Sequence, residues 1–286
     1  MCVTCGCSDD AETKITNPET GEVVAMNSNG HHTHTHTLAD GTVITHSHNH
    51  EHHADSNAHI HAKMHGNTIT LEEKILAKND LIAAQNRGWF KGRDILALNL
   101  VSSPGSGKTT LLTRTINDLK DKCPIYVIEG DQETSNDAQK IQETGCKVVQ
   151  INTGTGCHLE AAMVERGLQQ LNPPLNSIVM IENVGNLVCP ALFDLGEKAK
   201  VAILSVTEGE DKPIKYPHMF RASEVMIITK IDLLPYVQFD VNRCIEYAKQ
   251  VNPKMQIFQV SATTGVGLES WYEWIAANVP SLAVQI

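Results

Sequence analysis

Residues Val101-Ser-Ser-Pro-Gly-Ser-Gly-Lys-Thr-Thr110 place a lysine and two threonines directly after a glycine-bearing turn, a set of groups suited to holding phosphate. An apolar run from Ile95 to Val101 precedes them and a helical pattern over Leu111 to Leu119 follows, the strand–loop–helix context that a phosphate-binding loop needs. Backbone N–H groups of Gly105, Ser106, Gly107 and Thr110, backed by the positive end of the helix, would form an anion cradle. Lys108 would reach the β- and γ-phosphates, and the Thr109 hydroxyl would hold Mg²⁺. Ser102 stands where the pattern G-x-x-x-x-G-K-[ST] has its first glycine. The expected ligand is a nucleoside triphosphate.

Two further segments narrow the nucleotide. Thr229-Lys-Ile-Asp232 follows the strand-like run Val225 to Thr229. The Asp232 carboxylate can accept both N–H groups of a guanine edge while the Lys230 stem lies along the ring; adenine lacks that donor pair. Ser261-Ala262, after a second apolar run, matches a short backbone motif that also faces the base. GTP is therefore expected over ATP. Glu182-Asn-Val-Gly185 ends another apolar run, so Glu182 can hold the Mg²⁺ shell and the Gly185 N–H can sense the γ-phosphate. Asp131 is a second acid at a strand end. Phosphoryl transfer rests on positioning and charge neutralisation, so Lys108, Asp131 and Glu182 with Thr109 and Mg²⁺ suffice for slow hydrolysis of GTP to GDP. No glutamine or arginine finger can be assigned.

Soft and borderline metal ligands form three groups. Cys157 and His158 end the turn Thr153-Gly-Thr-Gly-Cys-His158, and Cys189 lies beyond Glu182-Asn-Val-Gly185. Two thiolates and an imidazole suit Zn²⁺ or Ni²⁺ and leave a coordination place open. Cys2, Cys5 and Cys7, beside an α-amino group, could wrap a nickel ion in an S₃N set; a redox Cys-x-x-Cys and an inert reactive tail are the alternatives. Twelve of the 14 histidines fall between His31 and His65, a tract suited to weak binding and storage of several ions. Cys123, Cys146 and Cys244 read as small buried apolar residues.

These groups need a scaffold. Residues 1–66 are poor in large apolar side chains and read as a disordered metal-binding tail; residues 67–286 are long enough for one substantial core. Thr70-Leu-Glu-Glu73 predicts a helix start, with Gly88 as its end. Beyond it, predicted strands 95–101, 125–129, 147–151, 177–182, 200–206, 225–229 and 256–260 alternate with predicted helices 108–120, 134–144, 158–171, 190–196, 240–250 and 268–277. That alternation predicts an α/β fold, a mainly parallel sheet with helices on both faces and its chemistry at the carboxyl ends of the strands.

Composition excludes other classes. The formal net charge of −10 argues against nucleic acid as a partner. No run is long enough for a membrane span, and the start lacks the regions of a signal peptide, so a cytoplasmic, reducing location is expected.

Taken together, Met-Cys-x-x-Cys-Gly-Cys, the histidine-rich insert, S-S-P-G-S-G-K-T-T, the Gly-Cys-His turn, Glu-Asn-Val-Gly-Asn-Leu-Val-Cys-Pro and Thr-Lys-x-Asp-Leu-Leu-Pro resemble the hydrogenase nickel-incorporation GTPase (HypB) family, in the SIMIBI class of P-loop GTPases. The resemblance covers nearly the whole chain. It implies a metallochaperone that helps load nickel into the large subunit of [NiFe]-hydrogenase, and a nucleotide-promoted homodimer with Cys157, His158 and Cys189 near its interface. It also implies a small zinc-containing, nickel-handling partner (HypA). A urease-type nickel GTPase, a metal-storage protein with a regulatory GTPase module, and an ATP-dependent kinase are the competing readings.

Overall fold

The computed structural model describes residues 13–16, 23–26, 35–37, 43–45, 57–132 and 136–279, with side chains from residue 73 onward. The elements in chain order begin with strands β1 (Thr13–Thr16), β2 (Val23–Met26), β3 (Thr35–Thr37) and β4 (Val43–Thr45), then helix α1 (Asn57–Gly92). Next come β5 (Leu96–Ser102), α2 (Lys108–Leu119), β6 (Ile125–Asp131), α3 (Asn136–Gln142), β7 (Lys147–Asn152), α4 (Ala161–Leu171) and β8 (Ile178–Glu182). The chain continues through β9 (Ala199–Ser205), α5 (Lys212–Lys215), α6 (Pro217–Ala222), β10 (Val225–Thr229), α7 (Val241–Val251), β11 (Gln256–Gln259) and α8 (Leu268–Asn278). All seven strands expected from the apolar runs form.

They pair in parallel in the order β11-β10-β9-β5-β8-β6-β7. β5, β8, β9 and β10 are buried along their whole length, which is why they read as unbroken Val/Ile/Leu runs. Alternate residues feed opposite layers. Leu96, Leu98 and Leu100 pack with Leu112 and Ile116 of α2 and with Trp271 of α8. Ala97 packs with Phe90 of α1 and Leu168 of α4, and Val101 with Phe220 of α6 and Ala248 of α7. β5 pairs with β9 on one side and β8 on the other, so the sheet's topological switch falls beside the loop after β5.

The hairpin β1–β2 adds to the β7 edge, with β1 antiparallel to β7, and β3–β4 form a separate ribbon. The Cys2, Cys5 and Cys7 motif and most of the histidine tract lie outside the described residues.

Four helical expectations need correction. α1 begins at Asn57 rather than Thr70 and runs through Gly88 to Gly92. A glycine in a helix interior costs about 1 kcal/mol, and docking offsets it here. Asn79 Nδ2 donates to the Asp194 carbonyl at 2.7 Å while its Oδ1 accepts from the Ala161 N–H at 2.8 Å. Asn86 Nδ2 donates to the carbonyls of Ala161 (2.9 Å) and Leu195 (3.1 Å). The expected helix 190–196 is only a 3₁₀ turn at Cys189–Ala191, because those side chains and carbonyls are held by α1 and by Lys200 instead. α3 and α4 are shorter than expected, and α5, α6 and a 3₁₀ turn at Ile231–Tyr236 form where no helix is expected.

α1 thereby clamps both the start of α4 and the turn at 194–196. Asn86→Ala should lower the unfolding free energy by about 2 kcal/mol, since it strands two buried carbonyls, as read by urea denaturation of the metal-free protein. A change below about 0.5 kcal/mol would show that the clamp contributes nothing.

Candidate nucleotide and metal site

The loop Ser102–Gly107 and the N-terminus of α2 open onto a cavity of about 520 Å³ whose far wall is formed by Glu129, Asp131, Glu182, Gly185 and Lys230. Gly105 and Gly107 have φ of +76° and +90°, a conformation that admits glycine and turns the backbone toward the cavity. Lys108 and Thr109 converge on one atom: Glu182 Oε1 accepts from Lys108 Nζ at 3.1 Å and from Thr109 Oγ1 at 2.6 Å. Glu182 is buried and its Oε2 has no hydrogen-bond partner. A hard divalent cation beside Thr109 fits that arrangement, since a hydroxyl and a carboxylate with a spare oxygen are the donors such an ion takes. When bound, it would neutralise charge on the phosphates.

Gly185 leans on the phosphate loop. A Cβ there would stand 3.1 Å from Pro104 Cγ and 3.2 Å from its nitrogen, so a side chain would push the two segments apart. Asp131 lines the same cavity.

Lys230 sits at φ +59°, ψ +35°, an uncommon backbone for a lysine. Its Nζ donates to the Gly105 carbonyl at 2.8 Å, and Thr229 Oγ1 donates to the Ser106 carbonyl at 2.6 Å. The end of β10 is thus tied to the phosphate loop. The Ile231 N–H donates to the Val260 carbonyl, which sets Asp232 alongside Ser261 and Ala262. Arg114 of α2 donates to the Ala262 carbonyl at 3.0 Å. Asp232, Ser261 and Ala262 are not part of the lining of the phosphate cavity, which reaches as far as Lys230.

Cys157, His158 and Cys189 come together: one ligand atom from each lies within 4.8 Å of the others. Cys157 Sγ is 3.6 Å from His158 Nδ1. Donors sharing one tetrahedral ion stand about 3.5 Å apart, so this pair is already at ligand spacing. The His158 ring stacks on Phe193 with centroids 3.9 Å apart, and burial lowers its pKa to about 4. The Glu160 carboxylate, 3.9 Å from Nε2, is too distant to reverse that. His158 is neutral at physiological pH, as a ligand must be. Cys123, Cys146 and Cys244 are buried apart from this trio, and burial drives the Cys123 thiol up to about 11 and the Cys244 thiol, with some help from Glu210, up to about 12.

Asparagines join the two sites. Asn183 Oδ1 accepts from the Leu159 N–H at 3.1 Å, one residue past His158, and Asn186 Nδ2 donates to the Cys157 carbonyl at 3.3 Å. Behind them a buried polar chain runs from Asn183 to Asn99 (3.2 Å) and on to Glu197 (3.0 Å). Lys200 completes it, 3.8 Å from Glu197 and donating to the Pro190 carbonyl at 2.8 Å. The segment 182–189 therefore touches the phosphate loop at Gly185 and the metal trio at both Asn186 and Cys189. The sequence reading placed that segment correctly but missed Asn183, Asn186 and Glu129. A charged residue inside the apolar strand Ile125–Asp131 was the available signal for Glu129. Burial, reinforced by the Glu182 and Asp131 carboxylates, pushes its pKa up to about 9.

Comparison with known proteins places the chain in a family. Residues 96–259 match the family described as CobW/HypB/UreG, nucleotide-binding domain. The hydrogenase maturation factor HypB of Rhizobium leguminosarum bv. viciae is 55% identical over 227 residues, covering 79% of this chain and 76% of that protein. Among solved structures, hydrogenase maturation factor HypB from Archaeoglobus fulgidus superposes with a TM-score of 0.67 at 35% identity, over 71% of this chain and 99% of that one. HypB from Helicobacter pylori in complex with nickel superposes with a TM-score of 0.65 at 38% identity, over 69% and 93% of the two chains. The chain belongs to the CobW/HypB/UreG family of nucleotide-binding proteins and, within it, to the hydrogenase maturation factors of the HypB type.

Proposed function

We propose that the protein is a nickel metallochaperone that hydrolyses GTP slowly and uses the nucleotide to time delivery of nickel during maturation of [NiFe]-hydrogenase. The observation that carries this reading is the shared segment 182–189, which leans on the phosphate loop through Gly185 and supplies Cys189 to the metal trio. Gain or loss of the γ-phosphate beside Gly185 would shift Asn186, which is bonded to the Cys157 carbonyl, and so alter the spacing of the two thiolates.

In this reading Gly105, Ser106, Gly107, Lys108, Thr109 and Thr110 hold the phosphates, and Lys230, Asp232, Ser261 and Ala262 hold the guanine. Thr109, Asp131 and Glu182 serve Mg²⁺. Lys108, Asp131 and Glu182 neutralise charge as the phosphoryl group transfers. Cys157, His158 and Cys189 take Ni²⁺ as cargo, and Zn²⁺ competes for the same soft and borderline donors. H. pylori HypB, which superposes on this chain, has been solved in complex with nickel.

The amino-terminal residues 1–66 act as a metal-binding segment, with Cys2, Cys5 and Cys7 as a nickel site and the histidine tract as a store. The antiparallel pairing of β1 with β7 sets Lys14 opposite Asn152, at the end of β7 that leads to Cys157. The partners in this reading are a second copy of the chain, HypA and the hydrogenase large subunit, in the cytoplasm. Among the described residues no helix is long and apolar enough to cross a membrane.

Two outcomes test the assignments. Asp232→Asn replaces an acceptor pair by a donor and an acceptor. GDP affinity should fall by about 100-fold while xanthosine diphosphate, which carries a carbonyl where guanine has its amino group, gains. Retained preference for GDP in equilibrium titrations would remove Asp232 from the base site.

His158 gives a pH signature. Its folded pKa, about 4, lies below the ordinary 6.5, so as pH falls the unfolded chain takes up the proton first. Its contribution is complete above pH 6.5 and is lost as pH drops through 4. His158→Leu should flatten the fall in stability of the metal-free protein across that window by on the order of 2 kcal/mol. An unchanged slope in chemical denaturation would show that the imidazole is not buried in its neutral form.

A further inference from the structure

The phosphate cavity contains a carboxylate that none of the assignments above uses. Glu129 is 2% exposed, lines the cavity, and its Oε2 has no hydrogen-bond partner. In the parallel pairing of β6 with β8 it stands directly beside Glu182, and register partners on neighbouring strands send their side chains to the same face. Glu182 also leaves its Oε2 without a partner. Two buried carboxyl groups thus sit side by side, each with an unmatched oxygen.

The cavity's lysines are committed elsewhere. Lys108 bonds to Glu182, Lys140 pairs with Asp137 at 2.8 Å, and Lys230 donates to the Gly105 carbonyl. A buried acceptor left without a donor is rare in folded proteins and points to a missing partner. An apolar core requirement does not explain Glu129 either, because an aliphatic residue would fill the same strand position without the cost of burying a carboxylate.

We propose that Glu129 is a further positioning residue of the divalent-cation site, its Oε2 accepting a hydrogen bond from a water in the shell of the ion held by Thr109, Glu182 and the nucleotide phosphates. A small hard cation keeps several of its waters when it binds phosphates, and those waters need buried acceptors. The cavity, about 520 Å³, has room for the phosphates and a partly hydrated ion together. Outer partners of this kind typically change metal affinity by 10- to 100-fold when removed. The assignment rests on the GTP and Mg²⁺ reading given above.

The test uses the full-length protein, with GDP affinity followed by a fluorescent GDP analogue in EDTA and across a Mg²⁺ titration. For Glu129→Gln, the Mg²⁺ concentration giving half of the cation's effect should rise by about tenfold or more, with GDP affinity in EDTA kept within about twofold. Counting free Mn²⁺ by its EPR signal, with GDP present, should give the same weakening. Glu129→Asp, which keeps the carboxyl group and shortens the reach, should fall between; it carries the test alone if the glutamine variant does not fold. An unchanged Mg²⁺ requirement would overturn the proposal, as would a parallel loss in EDTA and in Mg²⁺, which marks a purely structural carboxylate. A wild-type protein whose GDP binding ignores Mg²⁺ would overturn the cation reading itself, and Glu129's role with it.

Discussion

Glu182 Oε1 accepts hydrogen bonds from both Lys108 and Thr109, and much of the site depends on that convergence. The contact is largely screened from water, with Lys108 and Glu182 side chains 12% and 2% exposed. A buried charge without its partner is strongly destabilising, by about 3–5 kcal/mol, so the pair fixes the end of β8 against the first turn of α2. Residues that follow Glu182 inherit that position. Gly185 comes to rest on Pro104, Asn186 reaches the Cys157 carbonyl, and Cys189 arrives within 4.8 Å of Cys157 and His158.

In the proposed reading, a nucleotide that competes for Lys108 and Thr109 disturbs the same segment that carries Cys189. The polar chain behind it is satisfied end to end: Asn183, Asn99, Glu197 and Lys200 each have a partner. In a low-dielectric interior such a chain is rigid while complete and costly when broken, which favours discrete arrangements over gradual drift. Coupling between two ligands would follow if each favoured a different arrangement of this chain.

The sheet was legible because burial on both faces writes each strand as an unbroken apolar run, as in Val225 to Thr229. The Ser102–Gly107 loop, the Thr229–Asp232 segment and the Cys–His turn each follow such a run, and a parallel sheet gathers those ends on one edge. Helix α1 was not legible, because its course through Gly88 is decided by Asn79 and Asn86 bonding to residues 75–115 positions away, which no local pattern records. The expected helix at 190–196 failed for a related reason: Lys200 and Glu197 hold its backbone from outside. Glu129 was harder to read, because an acid two residues before Asp131 near the end of β6 is ordinary in sequence. Only the register that sets it beside Glu182 makes it unusual.

The central claim is that the nucleotide state governs the metal trio, and the most direct measurement is the Ni²⁺ affinity of the Cys157/His158/Cys189 site. It should be taken with GDP and with a non-hydrolysable GTP analogue, in protein whose Cys2, Cys5 and Cys7 are replaced by serine. The expected result is a difference of at least about fivefold between the two nucleotides, the lower end of ordinary allosteric coupling. Equal affinities would contradict the claim and leave the shared segment 182–189 as a structural bridge only.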